Sequence, residues 1–485
     1  MNSPKHSTKP ISTKPPSGMR DFLPADLARR NHVMAIVREV YGRHGFLPLE
    51  TPTIENLSTL LGKYGEEGDQ LLYRLLERRD ALKTALEKIG PPSEDWRTPQ
   101  LAQAALAEEG LRYDLTVPLA RVVAQYELPK FFKRYQIQPV WRADRPGKGR
   151  FREFYQCDVD ITGTRSLIAE AEVCAAVAEV LHALGFKEFK IRINHRQLLR
   201  SMMHASGIDL AHEAAALIAV DKLDKIGAGG VREELGARGI SGASATRLME
   251  LILFSEADTI LGIPLTRGPQ GPRTGLAAIG KSIDDAAGKQ ALAELEQLVD
   301  LLEASPAGPH VQFSADLARG LGYYTGAIFE IAVPDLAGSL GGGGRYDDLV
   351  GMFGKKQVPA VGFSLGLERI LVVMEERGMF PALAVGPEVL LCWMGVAPAK
   401  VIGVAHQLRA QGLRVEVFPE EAKLGKQLQY ADAPGVKAPL AAILGETELA
   451  AGEITLKHLG SGEQSRVAIA AAGAAARVLL AGGKA

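Results

Sequence analysis

Cysteine is scarce in this chain: its 485 residues include only Cys157, Cys174 and Cys392, far apart and with no C-x-x-C spacing. That argues against a disulfide framework or a cysteine zinc site and fits a reducing cytosol, so the expected location is cytoplasmic and no metal site is expected. An excess of charge of one sign is also missing. Lysine and arginine total 56, aspartate and glutamate 57, and the formal net charge is −1. The protein is therefore not basic overall, and any nucleic-acid contact has to come from local patches such as Lys148 and Arg150. No run is long and apolar enough to span a bilayer, so no membrane is expected among its partners. Residues 1–17, with Lys5, Lys9 and Lys14 among Ser, Thr and Pro, lack the apolar core of a signal peptide. They read as a disordered tail. No internal repeat is visible. The glycine run at 341–344 is followed by Arg345 and Tyr346, not by GK[ST], and so is not a Walker A loop.

The length allows two to four domains and a large core. Hydrophobic content of 46% and charged content of 23% are ordinary for a globular protein. Residues 135–163 organise the rest and read as strand, basic loop, strand. In 135–142 the odd positions Tyr135, Ile137 and Trp141 are apolar, while Gln136, Gln138 and Arg142 are polar. In 151–161, Gln156, Asp158 and Asp160 share one face, and Tyr155, Cys157, Val159 and Ile161 the other. Arg145, Lys148 and Arg150 lie in the loop between. Polar strand faces beside a cationic loop suit a small zwitterion next to a polyphosphate. A half-exposed hairpin with solvated charges is the plain alternative.

Before this hairpin, Pro24 and Asp26 signal a helix start, and Gly42 and Gly45 its stop. Residues 46–51 read as a short strand, at a sheet edge because of Pro48. Residues 71–110 read as a charged surface insertion in which Pro91, Pro92 and Ser93 separate two helical stretches. In 111–121, alternation places Arg112, Asp114 and Thr116 on one strand face, where a carboxylate and a hydroxyl can accept from an ammonium group. An amphipathic helix over 166–184 and a strand over 189–193 follow. Residues 195–307 are dominated by helical signals. His195, His204 and His212 are scattered there, and none is given a role. Gly362, Ser364 and Gly366 form a small-residue strand face that leads into a helix near Leu367, with Arg369 in its first turn. A cation there opposes the helix dipole unless an anion is near, and Glu368 could be that anion. From residue 386, strands and helices alternate, predicting a small α/β domain with a mainly parallel sheet and a last helix over 470–485.

WRADRPGKGRFREFYQCDVD, at 141–160, closely resembles motif 2 of the class II aminoacyl-tRNA synthetases in the form carried by histidyl-tRNA synthetases. GMRDFLPADLARR and GFLPLETPTIE are similar to motif 1 of that family, its homodimer interface, and GLERI to motif 3. LARGLGYYTGAIFE, at 317–330, resembles a motif of histidyl-tRNA synthetases that class II enzymes do not share generally. KLGKQLQYAD followed by ILGETEL resembles the class IIa anticodon-binding domain.

The resemblance implies an α/β chain with an α+β catalytic core: a class II antiparallel sheet with flanking helices and a helical insertion over about 195–307. A catalytic domain at 18–385 would be followed by an α/β anticodon-binding domain at 386–485. It implies a histidine–tRNA ligase that takes L-histidine, ATP with Mg²⁺, and tRNA(His). Arg142, Arg319 and Arg369 would be catalytic and, with Arg150, bind ATP. Asp114, Leu115, Thr116 and Gln156 would hold the amino end of histidine. Asp160, Tyr323 and Tyr324 would line its imidazole, with Arg319 adjoining. Arg145 and Lys148 would contact tRNA, and Lys423, Lys426 and Gln427 on one helix would suit contact with the RNA backbone. Two rivals stay open: a catalytically silent paralogue of histidine biosynthesis, and an RNA-binding module with an inert core.

Overall fold

The computed structural model describes residues 12–89, 106–253, 259–260, 263–264, 272–318, 323–334, 336, 338–354 and 356–482. Arg319, residues 1–11 of the tail, 90–105 of the insertion with Pro91, Pro92 and Ser93, and 483–485 lie outside them. The chain divides into two compact units, Met1–Asp21 with Arg30–Phe380 and Phe22–Arg29 with Pro381–Ala485.

The first unit is built on an eight-stranded sheet. In chain order its strands are β1 (Leu47–Pro48), β2 (Phe132–Trp141), β3 (Glu153–Thr162), β4 (Lys190–His195), β5 (Val311–Phe313), β6 (Ala327–Ala332), β7 (Ser339–Arg345) and β8 (Ala360–Gly366). They lie in the order β1-β2-β3-β8-β7-β6-β4-β5. The six central strands pair antiparallel, and only the short outer strands β1 and β5 pair parallel. β1 is an edge, as Pro48 requires.

Period-two alternation gives this sheet two unlike faces. Ile137, Cys157, Val159, Ile191, Phe329, Phe363 and Leu365 point into one continuous core with Val33, Val37 and Tyr41 of α1 (Pro24–Arg43). Gly45, just past α1, has φ +76°, a left-handed turn that glycine reaches without Cβ strain. A second helix, Ile168–Ala183, is buried on nearly all sides instead of being amphipathic, because it packs between the sheet and the insertion helix Ala286–Glu303. The insertion is helical as expected, with Arg196–Ala205, Glu213–Val220, Leu223–Ala237 and Gly242–Leu253 among its elements.

Two segments differ from the sequence reading. Residues 71–110 are not wholly a surface excursion: Arg74–Leu75 and Ile54–Asn56 both pair with Glu109–Leu111 in a small three-stranded sheet. Arg112, Asp114 and Thr116 do not share a strand face. The strand ends at Leu111 and a helix, Thr116–Gln125, begins at once. Pro118 in its first turn needs no N–H partner, and the Asp114 carboxylate accepts from Val117 N at 3.0 Å. Arg112 is fully buried and donates to the carbonyls of Thr51, Pro52 and Pro139.

The second unit carries a five-stranded sheet of β9 (Val389–Trp393), β10 (Val415–Val417), β11 (Leu440–Leu444), β12 (Glu453–His458) and β13 (Gln464–Ala468), ordered β10-β9-β11-β12-β13. Only β10, β9 and β11 are parallel, and β12 and β13 are added antiparallel, so the sheet is mixed, not mainly parallel. Gln427 does not face solvent beside Lys423 and Lys426. It is buried, accepting from Trp393 N at 3.0 Å and donating to the carbonyls of Trp393 and Ala422.

Candidate active site

The second face of the large sheet is polar and is the floor of the site. Cross-strand register sets Arg134, Gln136 and Gln138 of β2 opposite Asp160, Asp158 and Gln156 of β3. These in turn face Gly362, Ser364 and Gly366 of β8, and Gly344 and Gly342 of β7 continue the row. The carboxylates thus stand beside a strip almost free of side chains. A Cβ on Gly362 would fall 1.9 Å from Asp160 Oδ1, so only glycine fits there. The Tyr324 ring lies over Gly344, 3.1 Å from where a Cβ would be.

Arg134, fully buried, ties this floor together. Its Nη2 lies 2.8 Å from Asp160 Oδ2 and 3.8 Å from an Asp158 oxygen, and it donates to the Leu115 carbonyl at 3.2 Å. The turn carrying Asp114, Leu115 and Thr116 is thereby fastened to β3. Tyr346 donates to Asp160 Oδ1 at 2.5 Å, and Tyr64 to Asp114 Oδ1 at 3.2 Å. Gln156 donates to Ser364 Oγ at 2.7 Å. Among the described residues, the floor acceptors Gln136 Oε1, Gln156 Oε1, Asp158 Oδ1 and Asp160 Oδ2 are buried without a hydrogen-bond partner, as are Nε and Nη1 of Arg134. Buried acceptors of this kind are costly unless a ligand supplies the donor.

Burial dominates the ionisation of the carboxylates. It raises Asp114 and Asp160, against the opposing pull of Val117 N–H and Arg142 at Asp114 and of Arg134 and Tyr346 at Asp160. Asp158 is pushed up to about 7 by burial, with Arg134 lowering it and Asp160 raising it. Tyr323 and Tyr324, in edge contact with ring centroids 5.0 Å apart, are raised by burial too.

Arg142 and Arg369 stand at one end of the floor, where Gln156 pairs with Gly366. Arg142 follows β2 directly. Its guanidinium lies 4.2 Å from the centroid of the Tyr113 ring and 5.1 Å from that of Phe154, and it donates to Tyr113 O at 3.1 Å. Arg369 sits in the first turn of the helix Leu367–Glu376 and donates to Ser339 O at the start of β7. A Cβ on Gly149 of the basic loop would lie 3.6 Å from Arg369 Cγ, so loop and arginine adjoin. Glu368 is not the counter-ion of Arg369 that the sequence allowed. It binds Arg30 at 2.8 Å and accepts from Tyr155 N at 2.9 Å. In the loop, Lys148 pairs with Glu376 at 2.7 Å, Arg150 lies 4.0 Å from Asp144, and Arg145 is exposed.

Sequence reasoning missed Arg134, Tyr346 and Tyr64 and gave Asp158 no role. Arg134 continues the Gln136–Gln138 alternation by one step and Tyr346 closes the glycine run, so both had a local signal. Tyr64 had none. Among the described residues no group of three or more His, Cys, Asp or Glu could hold a metal, and no helix is long and apolar enough to cross a membrane.

Comparison with known proteins agrees with this architecture. The family model described as histidyl-tRNA synthetase matches residues 75–370, and that of an anticodon binding domain matches 390–477. The chain is 41% identical to a histidine–tRNA ligase of Cytophaga hutchinsonii over 463 residues, covering 93% of this chain and 96% of that protein. A histidine–tRNA ligase of Bacteroides fragilis is 40% identical, with 94% and 98% covered. The crystal structure of histidyl-tRNA synthetase from Nostoc sp. PCC 7120 superposes with a TM-score of 0.73 at 28% identity, covering 97% of this chain and 100% of that one. An antiparallel sheet with a carboxylate-lined floor, a helical insertion and an appended anticodon-binding unit defines a class II aminoacyl-tRNA synthetase. Within that class, the chain belongs to the histidyl-tRNA synthetase family.

Proposed function

We propose the following division of labour for the two-step reaction that this chain, a histidine–tRNA ligase, carries out. The carboxylate of L-histidine attacks the α-phosphorus of ATP, and pyrophosphate leaves. The 3′-terminal ribose hydroxyl of tRNA(His) then attacks the carbonyl carbon of histidyl-adenylate, and AMP leaves. The first step depends on in-line alignment and charge neutralisation more than on proton transfer. Arg142, Arg319 and Arg369 meet that demand as guanidinium forks for phosphate oxygens, with Arg150 reaching in from the loop. Mg²⁺ arrives with ATP, held by phosphate oxygens and water, so no dedicated cage is needed.

Asp114, Thr116, the Leu115 backbone and Gln156 hold the amino end of histidine. Asp160, Tyr324 and Tyr323 select the imidazole. The observation that carries this reading is the sealed polar floor, in which paired carboxylates and an unmatched Gln156 oxygen adjoin bare glycine backbone. Such a site rejects apolar amino acids, because they leave its polar groups unpaired. Asp160→Ala is expected to raise KM for histidine on the order of a hundredfold and KM for ATP little. Equal effects on both would defeat the assignment. Arg319→Ala is expected to lower adenylate formation by a factor of about 100 or more with the fold intact; pyrophosphate exchange near the parental rate would reject that role.

Three further parts belong to this reading. Lys423 and Lys426, both exposed, contact the tRNA backbone, as Arg145 and Lys148 do near the site. The protein works as a homodimer: Leu47 of the edge strand and nearby Phe131 are 58% and 57% exposed, and a second copy covers them. The free, buried cysteines suit the cytoplasm.

A further inference from the structure

The floor has two unpartnered acceptors outside the histidine contacts proposed above, Asp158 Oδ1 and, across from it, Gln136 Oε1, and of the two only Asp158 can carry charge. Asp160 accepts from the Tyr346 hydroxyl at Oδ1, while its Oδ2 lies 2.8 Å from Arg134 as an ion pair without a hydrogen bond. Asp158 lies two residues away on the same face, 2% exposed, with Oδ1 unpartnered among the described residues. Its neighbour on the other side, Gln156, also presents an unpartnered oxygen. Across the ladder from Asp158 stand Gln136 of β2 on one side and, on the other, the short side chain of Ser364, flanked by Gly362 and Gly366.

We propose that Asp158 is a third side chain that reads bound L-histidine, its Oδ1 accepting an N–H of the imidazole in the gap between Gln156 and Asp160. This rests on the histidine site proposed above.

The charges around Asp158 favour such a donor. Among the described residues, Arg134 of β2 is the cation that pairs with it, at 3.8 Å, and that guanidinium also lies 2.8 Å from Asp160. Asp160 on its own strand and Asp114 at the helix entry both raise its pKa, while Ser364 of β8 lowers it. The phenols of Tyr324, Tyr323 and Tyr41 and the thiol of Cys157 complete its titratable surroundings. Burial, with Asp160 and Asp114 adding to it against the pull of Arg134, pushes this carboxyl up to about 7, so it is mostly protonated in the empty site below that pH. Accepting a ligand N–H favours the ionised form. The carboxyl proton then leaves to solvent, and the imidazole keeps its own hydrogen. Histidine binding is therefore accompanied by proton release around neutral pH, centred on the Asp158 value of about 7.

The test is calorimetric titration of L-histidine into the full-length protein, at about pH 6.5, in buffers of different ionisation enthalpy. The imidazole of free histidine also titrates near this pH, so the readout is the difference between proteins: the parent is expected to release more protons than Asp158→Asn, which keeps an oxygen but cannot ionise. Asp158→Ala should raise KM for histidine by roughly tenfold or more while KM for ATP stays within about twofold. Equal proton exchange in the parent protein and Asp158→Asn, or an unaltered histidine KM in Asp158→Ala, overturns the proposal. The two variants have separate readouts, so either decides the matter should the other misfold. If Asp160→Ala raises histidine KM and Asp158→Ala does not, this inference fails and the histidine site stands. If neither does, the site itself is wrong.

Discussion

Asp158 shows how one side chain can serve binding at the expense of stability. Burial moves its carboxyl from 3.8 to about 7. Between those values the folded state keeps a proton that the unfolded chain has lost. The stability this contributes is complete below the unfolded value and is lost as pH rises through about 7. Asp158→Asn has no such loss. Its melting temperature relative to the parent is expected to rise between pH 5 and pH 8, by on the order of 2–5 °C, in parallel thermal melts. A difference that stays flat with pH would show that the group is ionised in the empty site. At this scale the sequence was only partly informative. Alternation at 156, 158 and 160 exposed the floor, but which carboxylate is saturated depends on Arg134 and Tyr346, and the partner at Tyr346 lies 186 residues away in the chain.

Among the elements, legibility followed local chemistry. β3 and β8 were readable because alternation and small residues are written into the strands themselves. The helix beginning at Leu367 was equally plain. The turn at Asp114 was misread as strand because D-x-T-V-P satisfies two templates at once, polar alternation and a helix start with an early proline. The helix is favoured because the Asp114 carboxylate caps it and Arg134 holds the Leu115 carbonyl. The glycine strip gives a sharp prediction for β8. Gly362→Ala forces a methyl into Asp160, which Tyr346 and Arg134 hold from both sides. It is expected to cost about 1–3 kcal/mol in chemical denaturation and to weaken histidine binding. Gly366→Ala, whose Cβ would meet nothing nearer than 3.4 Å, should be tolerated in the same denaturation assay. Equal losses in both would mean that backbone conformation, not the carboxylate, sets the requirement.

For the molecule as a whole, the two units present different surfaces: one builds the carboxylate floor beside Arg142 and Arg369, the other carries a mixed sheet and exposes Lys423 and Lys426 at the start of the helix Leu424–Ala431. The order of strands and helices in the second unit was legible from residue 386 onward. Its antiparallel addition was not, since β13 alternates weakly and Gln427 looks like a surface residue until Trp393 is placed beside it. Charge reversal at Lys423 and Lys426 is expected to lower tRNA charging by about tenfold through KM for tRNA, and to leave amino-acid activation unchanged. Steady-state charging and exchange assays on the same preparation check this, and a parallel fall in both would point to misfolding. The central claim is narrower: the polar floor and the arginines together activate histidine. Its most direct test is ATP–pyrophosphate exchange without tRNA. The account predicts exchange that requires L-histidine and is not supported by other amino acids; exchange no faster with histidine than without it would contradict the account.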